Sequence, residues 1–231
     1  MYRLIRFSLL TICLLPAPAV ADSVAPPPTI EHHQLALELS PDSHRLIATD
    51  RVTVAGGSPG QELAFSLAPT LLLERVEDLT HCQDPCEFAP SVPFARDRSS
   101  SQAESQRILL KQPPANQAGG AIRLNFVYHG VIDDPPRDPR HLRFVTPSET
   151  AGHIGPEGVY LSSESLWYPD LDDSLATYDV RIALPDGWAA VTQGTAQADA
   201  SRWIVSTKSE ALTVVANRFA VKTRAWKAQS G

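Results

Sequence analysis

The sequence predicts an all-β protein, an antiparallel curved sheet or β-sandwich of short strands. Three observations predict it. The 231-residue chain holds 20 prolines and 12 glycines, which break helices and suit short strands joined by turns. Apolar and polar residues alternate along one segment after another, the period of a half-buried strand. No stretch carries a helical apolar stripe over about ten residues. The bulk composition, 43% apolar and 20% charged, is that of a globular domain. A net charge of −6 without a basic run disfavours a nucleic-acid partner. No G-x-G-x-x-G occurs, which argues against a dinucleotide-binding fold.

Met1 to Ala21 reads as a signal peptide: Arg3 and Arg6 precede the apolar run Phe7–Leu15, and Ala19-Val20-Ala21 is a small-residue cleavage site. The run is far shorter than the roughly 20 residues of a membrane span. Ile12 stands where a lipobox wants a small residue, so Cys13 is read as part of the apolar run. The expected location is secreted or periplasmic. Residues 22–29 form a Pro-rich tether, 30–221 a single β-domain and 222–231 a C-terminal tail.

Within the domain, His33, Leu35, Leu37 and Leu39 alternate with Gln34, Ala36 and Glu38, and Leu46 to Val54 returns after the turn Ser40-Pro41-Asp42-Ser43. These two segments predict a hairpin. Leu63–Leu67 alternates, and Leu71–Leu79 is a further strand candidate. Phe88–Gln106 is rich in Ser, Pro and Arg and reads as a loop. Ile108–Lys111 is short and apolar. Gln112–Gly120 is a turn region, after which Ile122, Leu124, Phe126 and Tyr128 alternate cleanly. Asp133–Gly158 has no periodicity and reads as a long loop. Tyr178 to Leu184 alternates again and ends in the turn Pro185-Asp186-Gly187. Trp188–Thr192, Trp203–Thr207, Leu212–Ala216 and Phe219–Trp226 follow, giving about eight to ten short strands.

The chemistry-bearing motifs are sparse. Cys82 and Cys86 remain after export, and two cysteines four apart in an oxidising compartment most simply form one small-loop disulfide. A metal site with His81 is the alternative, and it lacks the ligands of a closed zinc site. Neither H-E-x-x-H, G-x-S-x-G nor a P-loop occurs. His32 and His33 are adjacent, point to opposite faces of a strand, and read as surface or strand-start residues. His129, His141 and His153 are spread along the loop region without supporting carboxylate spacing, so no metal ligand is assigned. Asp133, Asp134, Asp138 and Glu157 read as a solvated acidic loop rather than a carboxylate pair for acid–base work. Asp170, Asp172 and Asp173 read as a turn rather than a calcium loop, since the glycine and the later glutamate are missing. No active site is visible, so the sequence leaves open whether the chain serves an enzyme.

One region is less generic. Trp167-Tyr168-Pro169 runs into Asp172, then Tyr178-Asp179-Val180-Arg181-Ile182, Pro185-Asp186-Gly187-Trp188 and Thr192-Gln193-Gly194 follow. This order resembles the N-terminal β-domain of the membrane alanyl aminopeptidase family of zinc metallopeptidases. The opening Leu35–Leu39, its Pro-Asp turn and Val52-Thr53-Val54 fit it too, as does Leu212–Phe219. The resemblance covers roughly Ile30 to Val221. It implies a saddle-like sheet that scaffolds a catalytic domain and forms one wall of its substrate cleft. The family's H-E-x-x-H zinc motif and its Gly-x-Met-Glu-Asn substrate strand lie in the next domain and are absent here. Zinc is thus expected only with a catalytic domain, and no cofactor in this chain. The implied partners are such a domain or a peptide substrate. In the family an acidic or amide side chain shortly before the aromatic-Pro turn holds the substrate amine. Glu164 is the matching candidate, at a shorter spacing, and belongs at the rim, with Trp167 and Tyr168 at least partly buried. The alternative is a stand-alone periplasmic binding module for peptide or carbohydrate, using Trp167, Tyr168, Trp188 and Trp203.

Overall fold

A computed structural model describes residues 26–220 apart from 83–85, 87, 98–104, 116–119, 135–149, 151, 173 and 200. Residues 1–25, which include Cys13, residues 221–231, Asp138, His141 and Asp173 lie outside the described residues. Among those described there are fourteen strands and two single-turn 3-10 helices. The strands are β1 (Thr29–Ser40), β2 (Arg45–Ala55), β3 (Glu62–Leu67), β4 (Leu71–Asp78), β5 (Phe94–Asp97), β6 (Gln106–Lys111) and β7 (Ile122–Val131). They continue with β8 (Gly152–Gly155), β9 (Gly158–Leu161), β10 (Ala176–Ala183), β11 (Ala189–Thr192), β12 (Thr195–Ala196), β13 (Arg202–Ser209) and β14 (Val214–Asn217). No helix among the described residues is long and apolar enough to cross a membrane.

The strands form three sheets. Seven run in the order β12-β13-β10-β1-β2-β7-β4, four in the order β11-β14-β9-β8, and three in the order β3-β6-β5. The hairpin predicted for the first two strands is present, with Leu37 opposite Ala48 and Leu39 opposite Leu46. A 3-10 turn, Pro41–Ser43, closes it. One pairing departs from the antiparallel expectation: β1 and β10 run parallel, with His33 beside Tyr178 and Leu35 beside Val180. Periodicity in each strand fixes which face is buried and leaves the direction of the partner open.

The alternation places the core. Leu35, Leu37 and Leu39 of β1, Leu46, Ala48, Val52 and Val54 of β2, and Leu124, Phe126 and Tyr128 of β7 share one buried face. The smaller sheets cover it. Phe65 of β3 meets Phe126 edge-on at 4.8 Å between ring centres. Each such fully buried side chain contributes about 1.5–3 kcal/mol of burial free energy. The opposite face of the large sheet carries Gln34, Glu38, Thr49, Arg51 and Arg181, none of them fully buried.

Two expected loops are corrected. Phe88–Gln106 contains β5, and its last residue opens β6. Asp133–Gly158 contains β8, whose four residues are all buried. Both strands are four residues long, which leaves no more than two periods of alternation to read. In the described part of the 22–29 segment, the Gly57 N–H donates to the Pro26 carbonyl at 2.7 Å and β1 begins at Thr29. Phe219 and Ala220 are not in a strand, and the rest of that predicted strand lies outside the described residues.

Candidate functional site

Gly-Pro-Glu-Gly makes the tight turn between β8 and β9, since Gly155 pairs with Gly158 and leaves Pro156 and Glu157 at the tip. The edge of β8 is stitched to the exit of β7. The Ile154 N–H donates to the Ile132 carbonyl at 2.9 Å, and the Asp134 N–H donates to the Gly152 carbonyl at 3.2 Å. Asp133 and His153 are thereby directly opposed, which puts their side chains on one face. The Ile132 N–H donates to the His44 carbonyl at 3.0 Å, which brings the β1–β2 turn to the same seam between the seven- and four-stranded sheets.

Glu164 reaches this seam from the other side. It sits, exposed, in the 3-10 turn Ser163–Ser165 that follows β9. A Cβ on Gly152 would lie 2.4 Å from the Ser165 Cβ, so glycine lets this turn lie directly on β8. The result is an open cleft of about 730 Å³ whose lining includes Glu164, Ser165, Leu166, Asp133, Asp134 and Gly152. Three carboxylates in one depression favour a cationic group such as a peptide amine. The only non-glycine residues with positive φ among those described are Leu166, at 49°, and His44, at 54°. One lines the cleft and the other touches Asp133 from behind, and such rare backbone angles gather at functional sites.

Behind Asp133 lies the grouping that sequence reasoning missed. His44, Asp133 and His153 each offer a ligand atom within 4.8 Å of the others. His153 is buried, and its Nε2 is 2.6 Å from Glu157 Oε1. The Glu157 carboxyl is held below the usual carboxylate range by its own backbone N–H and then by His153. His129, the other described histidine of that region, is not part of the grouping and lies on β7 beside Glu74 at 2.8 Å. A histidine placed in a left-handed turn position after Pro41-Asp42-Ser43 is the one local signal for His44. Nothing local ties it to residues so far along the chain.

His33 corrects another expectation. It does point away from His32, but it is buried, not on the surface, and its Nδ1 donates to Asp50 Oδ2 at 2.7 Å. Tyr178 stacks on it at 5.1 Å and Tyr168 meets it edge-on at 5.2 Å. Burial raises the Tyr168 hydroxyl to about 12 and Tyr128 well above the ordinary tyrosine value. His32, on the other face, bonds Thr177 at 2.8 Å, and its pKa is lowered by burial and then by His33.

The aromatic-Pro segment is fixed along the edge of β3. The Ala68 N–H donates to the Leu166 carbonyl at 2.8 Å, and Ser66 and Asp170 exchange two backbone bonds of 2.8 and 3.1 Å. Trp167 is completely buried and Tyr168 nearly so, and β10 opens at Ala176. Asp170 is part-buried, which raises its pKa, and Asp172 faces Arg107 at 3.8 Å. Trp188 and Trp203 are half-buried against the core. The aromatic residues that a carbohydrate would stack on are thus mainly core. Cys82 and Cys86 form the expected disulfide, while His81 turns to the Pro114 carbonyl at 3.2 Å.

No protein-family model and no curated protein matches the chain. Solved structures do. An M1 zinc metallopeptidase from Deinococcus radiodurans superposes with a TM-score of 0.53 at 16% identity, over 82% of this chain and 42% of that one. A two-domain M1 zinc metallopeptidase mutant bound to L-tryptophan gives 0.52 at 15% identity, over 81% and 42%. Native yeast LTA4 hydrolase gives 0.57 at 12% identity, over 82% and 29%. The chain spans less than half the length of each of these proteins. At these identities the likeness is one of fold, and the fold shared is that of their N-terminal domain.

Proposed function

We propose that this chain is the non-catalytic N-terminal β-domain of an exported metallo-aminopeptidase-like protein. In this reading it scaffolds a catalytic domain that carries the zinc site and supplies one wall of the substrate cleft. The observation that carries the reading is the asymmetric coverage: 82% of this chain matches only 42% of the Deinococcus radiodurans enzyme. A surface suited to such a partner supports it. Val191, Val215 and Tyr160 lie side by side across β11, β14 and β9 and are 49, 37 and 40% exposed. An apolar row of this kind on a sheet face marks an interaction surface. Glu164 and the acidic cleft receive the free amine of the peptide in this reading. The stand-alone binding module is the weaker reading, because Trp167 and Tyr168 are buried.

An antibody raised against the chain tests the proposal in envelope extracts of the source cell. The expected species is well above 25 kDa and hydrolyses aminoacyl reporters after immunopurification. In it Glu164→Gln raises KM more than it lowers kcat, because a carboxylate that holds the amine equally in the ground and transition states supplies uniform binding. Tyr160→Glu loosens the packing of the domain on its partner domain without unfolding it, read as earlier proteolytic cleavage between the two. A single inactive species near 25 kDa that binds peptide by itself would install the binding-module reading instead.

A further inference from the structure

We infer that His44, Asp133 and His153 form a divalent transition-metal site, of zinc type, at the seam between the seven- and four-stranded sheets. It is separate from any peptidase zinc, whose H-E-x-x-H motif this sequence lacks. The inference does not depend on the proposed role of the chain.

The geometry of the donors carries it. His153 Nε2 lies 2.6 Å from Glu157 Oε1, so Nε2 holds the ring proton and Nδ1 is left with a lone pair. That Nδ1 is buried and has no hydrogen-bond partner. It faces Asp133 Oδ1 at 3.2 Å, and His44 Nδ1 lies 3.6 Å from the same oxygen. Tetrahedral zinc with bonds of ~2.0–2.1 Å sets its ligands about 3.4 Å apart. The two separations bracket that edge. Two imidazoles and a carboxylate suit zinc or cobalt rather than calcium or magnesium, and the fourth position is left to water. Without the ion, His44 Nδ1 donates to the Ile154 carbonyl at 2.5 Å. On binding, the neutral His44 ring exchanges its proton through solvent from Nδ1 to Nε2, which frees the Nδ1 lone pair for the ion; a doubly protonated ring releases the Nδ1 proton to solvent.

The surroundings are those of a built site. Glu157 orients His153 from outside the ligand set, the usual arrangement for a metal-bound imidazole. A Cβ on Gly155 would lie 2.2 Å from His153 Nε2 and 2.7 Å from Glu157 Oε2, so glycine is what allows this pair to fold over β8. Backbone bonds tie all three donor segments together before any ion arrives. Occupied, the site cross-links the β1–β2 turn, the exit of β7 and the β8–β9 hairpin.

Titration of Zn²⁺ into the chelator-treated full chain, followed by calorimetry, tests the inference. Co²⁺ serves as a spectroscopic probe of the same site. One ion per chain is expected, with a visible four-coordinate cobalt spectrum and a rise in melting temperature. Asp133→Asn should weaken binding at least tenfold and abolish the thermal rise. Its side chain is 44% exposed, so the variant should fold, whereas His153→Gln alters a buried residue and is secondary. Glu157→Gln should weaken binding about 10–100-fold, the usual cost of losing an outer hydrogen-bond partner. His81→Ala and His129→Ala should leave it unchanged. Absence of binding, or binding that Asp133→Asn and Glu157→Gln leave intact, would overturn the assignment.

Discussion

Trp167 and Glu164 stand three residues apart and contribute in opposite ways. The indole is wholly buried against Tyr168, at 4.7 Å between ring centres, while the carboxylate stands in solvent at the cleft. Trp167→Ala should cost about 3–5 kcal/mol. Glu164→Ala should move stability by less than about 0.5 kcal/mol. Thermal melts of both variants check this, and a larger loss for Glu164→Ala would make it a structural acid rather than a rim residue. The buried tyrosines set a second expectation. Tyr128 and Tyr168 ionise at higher pH in the folded than in the unfolded chain. Their stabilising contribution is complete below the unfolded value of about 10 and declines as pH rises toward about 12 for Tyr168. The tyrosinate absorbance contributed by Tyr128 and Tyr168, read as the loss in the Tyr→Phe variants of each, should therefore appear together with unfolding rather than ahead of it. At this scale the sequence was legible for Trp167, because proline after Tyr168 biases that residue to extended backbone and the aromatics then pack. It was not legible for His33, whose burial depends on meeting Asp50 across a hairpin and two tyrosines from later in the chain.

Among the elements, the β8–β9 hairpin positions both the cleft and the His44 grouping. Gly152 admits the turn carrying Glu164, and the nearest atoms to an added Cβ are Ser165 Cβ at 2.4 Å and Oγ at 2.8 Å. Gly152→Ala should destabilise by about 1–3 kcal/mol through overpacking. Adding Ser165→Gly should recover part of that loss, in a double-mutant cycle read by urea unfolding. No recovery would mean that the turn does not press on β8. Long strands such as β1, β2, β7 and β10 were evident from alternation. β8 was hidden because His153 is polar and buried, which breaks the apolar signal, and because its two glycines read as loop. Pairing partners were legible only where a short turn joins neighbours, as in β1 with β2.

As a whole, the chain has one core shared by three sheets, an acidic cleft at a seam and an apolar row on its four-stranded sheet. Metal-assisted hydrolysis needs about three protein ligands, a polarised water and a base in one place. His44, Asp133 and His153 meet the first requirement, yet the carboxylate beside them, Glu157, is engaged by His153 rather than free as a base. The purified chain, loaded with zinc, should leave aminoacyl reporters uncleaved, and turnover abolished by Asp133→Asn would make it an enzyme in its own right. Non-reducing mass spectrometry should show Cys82 joined to Cys86, and two free thiols would contradict this. The parallel pairing of β1 with β10 has a further consequence, for the order of folding. β1 is among the first strands synthesised, but its second neighbour emerges only after the segment through Tyr178 has been made. Until then β1 is a twelve-residue edge with unpaired N–H and C=O groups beside Leu35, Leu37 and Leu39. Such an edge recruits other chains, and pairings this distant in sequence form slowly. A fragment ending before Ala176 is therefore expected to aggregate rather than fold, whereas the chain through β10 closes the edge on itself.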